Sequence, residues 1–166
     1  MATGDGVVTL RPARPDDAPA VAGIWRSGWR DGHLGHVPGE LLAARTDASF
    51  DVRAGERTGD TVVAVVDGAV AGFVMVVGDE VEQVYVAQAH RGTAVAATLL
   101  AEAERLVRAN GHSRAWLAVV AGNSRARRFY ERNGWTDEGP FEHRAEGPDG
   151  PIHVPAHRYV KRLVSG

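Results

Sequence analysis

The chain has 166 residues, of which 44% are hydrophobic and 24% charged, and its formal net charge is −2. This length fits a single domain, and this composition excludes a disordered chain. The absence of cysteine excludes a disulfide scaffold and a cysteine nucleophile. The slight acidic excess argues against a nucleic-acid-binding protein. No apolar run reaches the ~20 residues of a membrane span, and residues 1–6 carry no signal-peptide pattern, so we expect a cytoplasmic protein without membrane partners.

Hydrophobic patterning and turn residues predict seven strands and four helices. In chain order these are strand Val7–Arg11, helix Ala18–Trp29, short helix Glu40–Thr46, strands Thr61–Val66, Val70–Val77 and Glu80–Ala87, helix Val95–Val107, strand Ala115–Val120, helix Ser124–Asn133, and strands Trp135–Phe141 and Pro155–Val164. Asp67-Gly68 predicts a two-residue hairpin turn. This order of elements predicts a mixed α/β sheet rather than a regular βαβ alternation.

The segment after the fourth strand combines a glycine turn with small side chains. Arg91-Gly92-Thr93 leads into a helix that opens with Ala94 and Ala96, in the sequence VYVAQAHRGTAVAATLL. A helix N-terminus presents unpaired N–H groups, and small side chains allow a phosphate to approach them closely. An ordinary glycine turn before an amphipathic helix explains this segment equally well. The Walker A and dinucleotide-binding glycine motifs do not occur in the sequence.

A second segment, residues 116–135, favours the anion-binding interpretation. Its sequence WLAVVAGNSRARRFYERNGW contains a strand, then Asn123, then a helix carrying Phe129-Tyr130, then Asn133-Gly134-Trp135. Together with residues 84–100, this order and spacing resembles the Gcn5-related N-acetyltransferase (GNAT) family. The family patterns are V-x-P-x-x-R-G-x-G-x-G-x-x-L-L and N-x-x-A-x-x-F-Y-E-x-x-G-F. The first and last predicted strands, in TLRPARPDD and HRYVKRL, are similar to those of the family as well.

The resemblance implies a single N-acetyltransferase domain over residues 1–166. Its α/β fold would have a mixed, mostly antiparallel sheet of six to seven strands, helices on both faces, and a splay between two parallel central strands. It also implies transfer of an acetyl group from acetyl-CoA, as co-substrate, to a primary amine without a metal ion. The CoA contacts that it implies are Val84, Tyr85, Val86, Arg91, Gly92, Thr93, Ala94, Val95, Ala96, Asn123 and Arg128.

Several of these positions have simpler explanations or depart from the family pattern. Ala94 stands where the family carries glycine, and its methyl group is tolerated if φ is negative but costs about 1 kcal/mol or more if φ is positive. Asn123 is explained by N-capping of the following helix, with or without a pantetheine contact. Arg128 shares a helix face with Arg125 and Arg132, which a solvated surface also explains.

Amine acetylation needs a neutral amine, a stabilised oxyanion and a proton for the leaving thiolate. An alkylamine with a pKa of ~10.4 is almost fully charged at neutral pH, so deprotonation costs ~4 kcal/mol and a positioned base is expected. By the resemblance, Tyr130 is the acid, because a phenol with a pKa of ~10 stays protonated. Packing under the sheet is the alternative role for Tyr130. A backbone N–H between Val84 and Val86 would stabilise the oxyanion.

The base and the acceptor site have weaker signals. Glu82 shares a strand face with Val84 and Val86 by the period of two, which makes it the candidate base, with Glu80 as its rival. Acceptor contacts are expected at the end of the first helix and in the loop after it, from Trp29 and His36, with core packing as the alternative for Trp29. Three glycines are expected to let this loop move: Gly32, Gly35 and Gly39.

Two classes of function remain open from the sequence. The first is an N-acetyltransferase acting by direct attack of the amine on the thioester in a ternary complex. The second is a non-catalytic acyl-CoA-binding or sensor module of the same fold. The acceptor could be a small-molecule or peptide amine, including an antibiotic-like amine, a polyamine, an amino acid or a protein amine. A homodimer is compatible with the sequence, which does not fix the oligomeric state.

Overall fold

The computed structural model describes residues 7–163, which form a seven-stranded sheet with helices on both faces. The strands are β1 (Thr9–Pro12), β2 (Thr61–Val66), β3 (Ala69–Val77), β4 (Glu80–Val86), β5 (Arg114–Val120), β6 (Thr136–Ala145) and β7 (Ile152–Arg162). The helices are α1 (Ala18–His33), α2 (Gly39–Ala44), α3 (Asp47–Glu56), α4 (Val95–Ala109) and α5 (Ser124–Arg132). Short 3₁₀ turns connect some of these elements.

The sheet has the strand order β1-β2-β3-β4-β5-β7-β6. β4 and β5 run parallel and every other neighbouring pair runs antiparallel, which confirms the predicted mixed sheet. The parallel pair is joined at one position in the described chain, where Glu80 lies opposite Trp116. Beyond that position β4 and β5 form no further ladder pair, which shows that the two strands diverge.

The core lies on both faces of the sheet, and the alternation of β3 divides it. Val74 and Val76 pack in one cluster with the apolar stripe of α4, which includes Leu99 and Val107. Phe73 and Met75, on the opposite face of β3, pack in the other cluster with α1 and α3. Because both faces of the central strands are covered, these strands are apolar at nearly every position.

The described elements match most of the predicted ones, with two differences in the α1–α3 region. α1 continues one turn beyond Trp29, to His33, and α3 was not predicted. Thr46 caps α3 by accepting a hydrogen bond from the Ser49 N–H at 3.2 Å. This short helix buries only two side chains, Phe50 and Ala54, so its apolar periodicity in the sequence is weak.

One predicted turn is confirmed, and one predicted strand begins earlier than expected. Asp67 and Gly68 have φ values of 51° and 79°, as a type I′ hairpin requires. β7 begins at Ile152, three residues before the predicted start. Val164, the predicted last residue of that strand, and the segment 1–6 lie outside the described residues.

Candidate active site

The divergence of β4 from β5 opens a cavity of about 760 Å³. This volume lies within the ~300–1,000 Å³ typical of small-ligand pockets. One side is formed by residues 81–86 of β4, residues 117–120 of β5, the turn before α4 and the first turns of α4 and α5. The other side is formed by the end of α1, the loop after it and the facing parts of β6 and β7.

The exposed edge of β4 presents backbone groups to this cavity. Ala87 donates its N–H to the Ala71 carbonyl at 2.7 Å, and the antiparallel register continues from this pair into β4. Hydrogen-bonded residues alternate along an antiparallel pair, so the backbone groups of Val84 and Val86 point away from β3 and toward the diverging β5. Both residues line the cavity, which leaves an unpaired strand edge for an extended ligand.

A β-bulge interrupts β4 at Glu82. Met75 pairs with Gln83 and the next residue of β3, Val76, pairs with Val81, so Glu82 is the extra residue. The bulge breaks the period of two on which the prediction of Glu82 rested. Glu82 nevertheless lines the cavity, and its Oε1 accepts a hydrogen bond from Arg57 Nη2 at 2.7 Å.

Glu80, the rival carboxylate, lies at the base of the splay and outside the cavity lining. Burial, together with the negative charges of Glu82 and Asp79, raises the pKa of Glu80 from 4.5 to about 7. Glu80 is therefore partly protonated near neutral pH, because burial disfavours the charged carboxylate. Glu80 lies opposite Trp116, so Glu82 is the one of these two carboxylates that lines the cavity.

The turn between β4 and α4 has the conformation that an anion site needs. Gly92 has a φ of +77°, which favours glycine, whereas Ala94 has a φ of −71° and tolerates its methyl group without strain. The N–H groups of Ala96 and Ala97 have no hydrogen-bond partner among residues 7–163, and both residues line the cavity. Arg91 also lines it and forms a 2.6 Å ion pair with Asp31 of α1.

Three of the predicted CoA contacts lie outside the cavity lining. Val95 is 2% exposed because its side chain belongs to the core under α4. Ala94 is exposed beside the turn, and Arg128 is exposed on the outer face of α5. The arginines of α5 that do line the cavity are Arg125 and Arg132. Arg128, the predicted CoA contact of this group, is therefore not one of the arginines that line the cavity.

Asn123 has the capping geometry expected from the sequence and also faces α1. Its Oδ1 accepts a hydrogen bond from the Ala126 N–H at 3.2 Å at the start of α5. Its Nδ2 lies against Gly32, where an added Cβ would come within 2.6 Å. Gly32 is buried, so it serves close packing of α1 on the cavity rather than the loop motion predicted for it.

Tyr130 lies at the junction of the cavity and the core. Its ring packs against Phe129, Trp135 and Tyr159, with centroid distances of 5.3, 6.1 and 6.1 Å. Tyr130 also lines the cavity, and its hydroxyl has no hydrogen-bond partner among the described residues. Burial raises the pKa of Tyr130 above its ordinary value, so the phenol is protonated at neutral pH. The ring is held by packing while the hydroxyl stays free to donate.

His36 and Trp29 occupy different environments, contrary to the prediction that both contact the acceptor. His36 lines the cavity and packs on Gly122, where an added Cβ would lie 2.2 Å from the imidazole Nδ1. Trp29 is 6% exposed and packs in the core against Phe50. Its other face stacks on His33 at 4.5 Å. Trp29 is thus a core residue that supports the cavity wall from behind, and its predicted place in the lining is corrected.

The model of the acetyltransferase (GNAT) family matches residues 21–135, more than half of the chain. The chain belongs to the GNAT acetyltransferase family. It is therefore an acetyltransferase, and acetyl transfer from an acyl-CoA is the general chemistry that this membership supports. A comparison with curated protein sequences gives no match.

Several solved structures are similar to this acetyltransferase over nearly their whole length. A GCN5-related N-acetyltransferase from Rhodopseudomonas palustris is 23% identical, with a TM-score of 0.73 and coverage of 98% of this chain and 99% of that one. The PaiA N-acetyltransferase of Thermoplasma acidophilum, in complex with coenzyme A, is 17% identical, with a TM-score of 0.72 and coverages of 95% and 99%. YncA of Salmonella typhimurium, with acetyl-CoA, is 17% identical, with a TM-score of 0.69 and coverages of 96% and 96%. At these identities the likeness shows the fold.

Several cavity residues of this acetyltransferase were not predicted from the sequence. His143 of β6 lines the cavity, and burial lowers its pKa, so its imidazole is neutral at pH 7. Tyr85, which was predicted as a CoA contact, also packs its ring against Gly28 of α1, a contact that the sequence did not indicate. His33 lines it as well, and burial lowers its pKa to about 4. The alternation of β6 could have indicated a common face for His143 and Ala145, but not that this face meets β4.

Two features bear on cofactors and location. Among residues 7–163, no group of three or more histidine, cysteine, aspartate or glutamate side chains is arranged to hold a metal ion. Within the same part of the chain, no helix combines the length and the apolar character that crossing a bilayer requires.

Proposed function

We propose that this acetyltransferase moves an acetyl group from acetyl-CoA to a primary amine by direct attack in a ternary complex. The observation that carries the proposal is the meeting of three features in one cavity. These are the unpaired backbone edge at Val84 and Val86, the open N-terminus of α4 after Gly92, and the free hydroxyl of Tyr130.

The donor-binding side of the proposal rests on backbone groups. Pantetheine carries two amides, which can pair with the free edge at Val84 and Val86 as an additional strand would. The pyrophosphate carries negative charge, which the N–H groups of Ala96 and Ala97 and the dipole of the 15-residue α4 can stabilise. Asn123, whose Oδ1 is used by the helix cap, retains its amide N–H groups for a pantetheine carbonyl.

In the proposed chemical step, the amine nitrogen forms a bond to the thioester carbonyl carbon and the carbon–sulfur bond breaks. A backbone N–H of the β4 edge stabilises the oxyanion during attack. The Tyr130 hydroxyl donates its proton to the departing sulfur, because the raised pKa of the phenol keeps that proton in place at neutral pH until the carbon–sulfur bond breaks. Tyr130 regains a proton from solvent or from the amine.

Glu82 is the proposed base for the amine, directly or through a water molecule. It lines the cavity on the β4 bulge, where its ion pair with Arg57 keeps the carboxylate in a fixed position. His143 lines the same cavity and is neutral at pH 7, so it is the second group able to accept the proton. His36, at the edge of the cavity, is proposed to contact the acceptor.

The experiment that tests the proposal separates the enzyme from a binding module. Acetyl-CoA affinity is measured by calorimetry, and CoA release is then followed with amino acids, a polyamine, an aminoglycoside and a short peptide. We expect binding together with CoA release over at least one of these amine classes, with the N-acetyl product identified by mass. Acetyl-CoA binding without release over any of them would support the non-catalytic module.

A further inference from the structure

Arg45 is a buried cation with no neighbouring counter-charge in contact. The residue is 8% exposed and follows α2 directly. Its side chain makes no hydrogen bond, and no ion pair within 4 Å, with any residue in the range 7–163. Burial lowers the pKa of Arg45, which shows that its surroundings disfavour the charged guanidinium. Arginine stays charged in proteins, so this charge is retained at a cost in stability.

Arg53 of α3 is a second, half-buried cation whose pKa responds to the charge of Arg45. Its guanidinium lies over the ring of Trp25, with 4.4 Å between the guanidinium carbon and the ring centroid, and its Nε is buried without a hydrogen-bond partner. Burial and the charge of Arg45 lower its pKa to about 10. Glu146 places a carboxylate near both arginines, 3.9 Å from Arg53 Nε, and its side chain is 81% exposed.

Both arginines lie behind one end of the cavity, formed by His33, Leu41, Tyr85 and Ala145, which we call the acceptor end. Arg45 follows Leu41 by one helical turn, and its backbone N–H bonds the Leu41 carbonyl at 3.1 Å. Burial and, to a smaller extent, the charge of Arg45 lower the pKa of His33, and the charges of Arg53 and Arg45 partly oppose the rise that burial causes in the pKa of Tyr85. The arginines are therefore near enough to influence this wall electrostatically.

The charges that line the cavity do not cancel this positive field. Glu82 is paired with Arg57, and Asp31 is paired with Arg91, so each carboxylate has its own cation. The imidazole of His33 is neutral because burial lowers its pKa to about 4. The acceptor end therefore carries more positive than negative charge, in surroundings that screen charges less than water does.

We propose that the acceptor is an amino acid, whose α-carboxylate is attracted by the charges of Arg45 and Arg53. This inference rests on the proposed amine acetyltransferase function and names its substrate class. Two cations held largely out of water, with the exposed carboxylate of Glu146 near both, are costly unless a ligand supplies a further anion. The same field repels a polycation such as a polyamine or an aminoglycoside. It also disfavours the ammonium form of the bound amine, which assists the deprotonation that attack requires.

The experiment uses matched pairs of ligands on the whole protein. Each of the twenty standard amino acids is compared with its own α-amide, in calorimetric titrations of the CoA-loaded protein and in acetyl-CoA turnover. Spermidine serves as the cationic amine. The amine of an amino-acid amide is less basic than that of the acid, so intrinsic reactivity favours the amide. We expect at least one amino acid to bind at least tenfold more tightly than its amide and to have the higher kcat/KM.

Charge variants then test whether the two arginines cause the preference. Arg45→Met and Arg53→Met should each reduce the acid-to-amide affinity ratio about threefold or more, and the double variant should bring it close to one. Arg45→Lys, which keeps the charge, should retain most of the ratio. Arg144→Met is the matched control, because Arg144 is exposed on β6 and outside the cavity lining. Thermal unfolding shows whether each variant is folded.

Each outcome tests either the preference for amino acids or the proposed acetyltransferase activity. Equal binding of acids and amides by the wild-type protein, a preference for spermidine, or no binding of any of these ligands would overturn the inference. An unchanged ratio in the folded double variant would do the same. Acetylation of amides or spermidine without preference would leave the acetyltransferase proposal standing. Selective binding of amino acids without acetyl transfer to any amine would support the inference and contradict that proposal.

Discussion

The two sides of the cavity differ in the chemical groups that form them. The CoA wall, meaning the β4 edge, residues 91–97 and the start of α5, consists mainly of backbone groups and small side chains. The acceptor wall, meaning the end of α1, the loop after it and the facing residues of β6 and β7, carries histidines and has the buried Arg45 and the half-buried Arg53 behind it. Every sequence of this fold has the backbone groups, whereas the histidines and arginines depend on the amino-acid sequence.

This difference predicts that substitutions in the two walls have different effects. The CoA wall depends on conformation at few positions, such as the positive φ of Gly92. The acceptor wall depends on close packing between α1 and the strands, at Gly28 against Tyr85 and Gly32 against Asn123. We therefore expect substitutions in the CoA wall to change donor affinity, and those behind the acceptor wall to change stability or acceptor selection.

The largest effect is expected for Trp29→Ala. Truncating a buried tryptophan removes apolar contacts and leaves a cavity, at a typical cost of about 3–5 kcal/mol of unfolding free energy. Acceptor KM should change little in protein that remains folded, because Trp29 is outside the cavity lining. His36→Ala is the comparison variant and should raise KM for the amine several-fold while Tm stays the same. Thermal unfolding and steady-state kinetics together measure both, and the reverse pattern would exchange the two roles.

The next largest effect is expected for Tyr130→Phe. The substitution keeps the ring contacts with Phe129, Trp135 and Tyr159 and removes the hydroxyl that we propose as proton donor. We predict a fall in kcat of about 10²-fold, within the range for a general acid, with little change in KM for acetyl-CoA. Steady-state kinetics with a saturating acceptor measures it. A variant with wild-type kcat would reduce Tyr130 to a packing residue.

The sequence predicted the CoA wall far better than the acceptor wall, for a physical reason. The turn at Gly92 and the cap at Asn123 are local features, in which one short segment determines the conformation. His143 and Arg45, by contrast, come to the cavity region only when distant elements pack together. Trp29 and His36 show the same limit, since their separation by seven residues does not indicate that one is buried and the other lines the cavity.

A smaller effect is expected for Gly92→Val, which tests the CoA wall. Valine at a φ of +77° is strained by about 1–3 kcal/mol, so the turn should move and its N–H groups lose alignment with the pyrophosphate. We predict at least ~10-fold weaker CoA binding by calorimetry. Ala94→Gly is the matched control, because Ala94 already has a negative φ, and its CoA affinity should equal or exceed that of the wild type. Unchanged affinity for Gly92→Val would place the pyrophosphate elsewhere.

The smallest effect is expected at the base of the splay, for Glu80→Gln. The pKa of Glu80 in the folded protein is about 7, above its ordinary value of 4.5, so its contribution to stability is complete below pH 4.5 and is lost as pH rises through 7. The difference between these two pKa values corresponds to roughly 3 kcal/mol of unfolding free energy. Solvent screening at this half-buried site reduces that contribution to about 1–2 kcal/mol. Glu80→Gln should therefore be more stable than wild type at pH 8 and similar near pH 4.5, as denaturant titrations at both values would show. Equal stability at pH 8 would contradict the burial of this charge.

The central claim is that one cavity brings an acetyl donor on the CoA wall to an amine on the acceptor wall. The most direct measurement follows isotopically labelled acetyl-CoA and a panel of amines by mass spectrometry, with wild-type protein and with Tyr130→Phe at the same concentration. Our account predicts that the labelled acetyl group appears as an amide on the amine, about 10²-fold more slowly with Tyr130→Phe at saturation. Bound acetyl-CoA with no label on any amine, or label transferred equally fast by both proteins, would contradict the account.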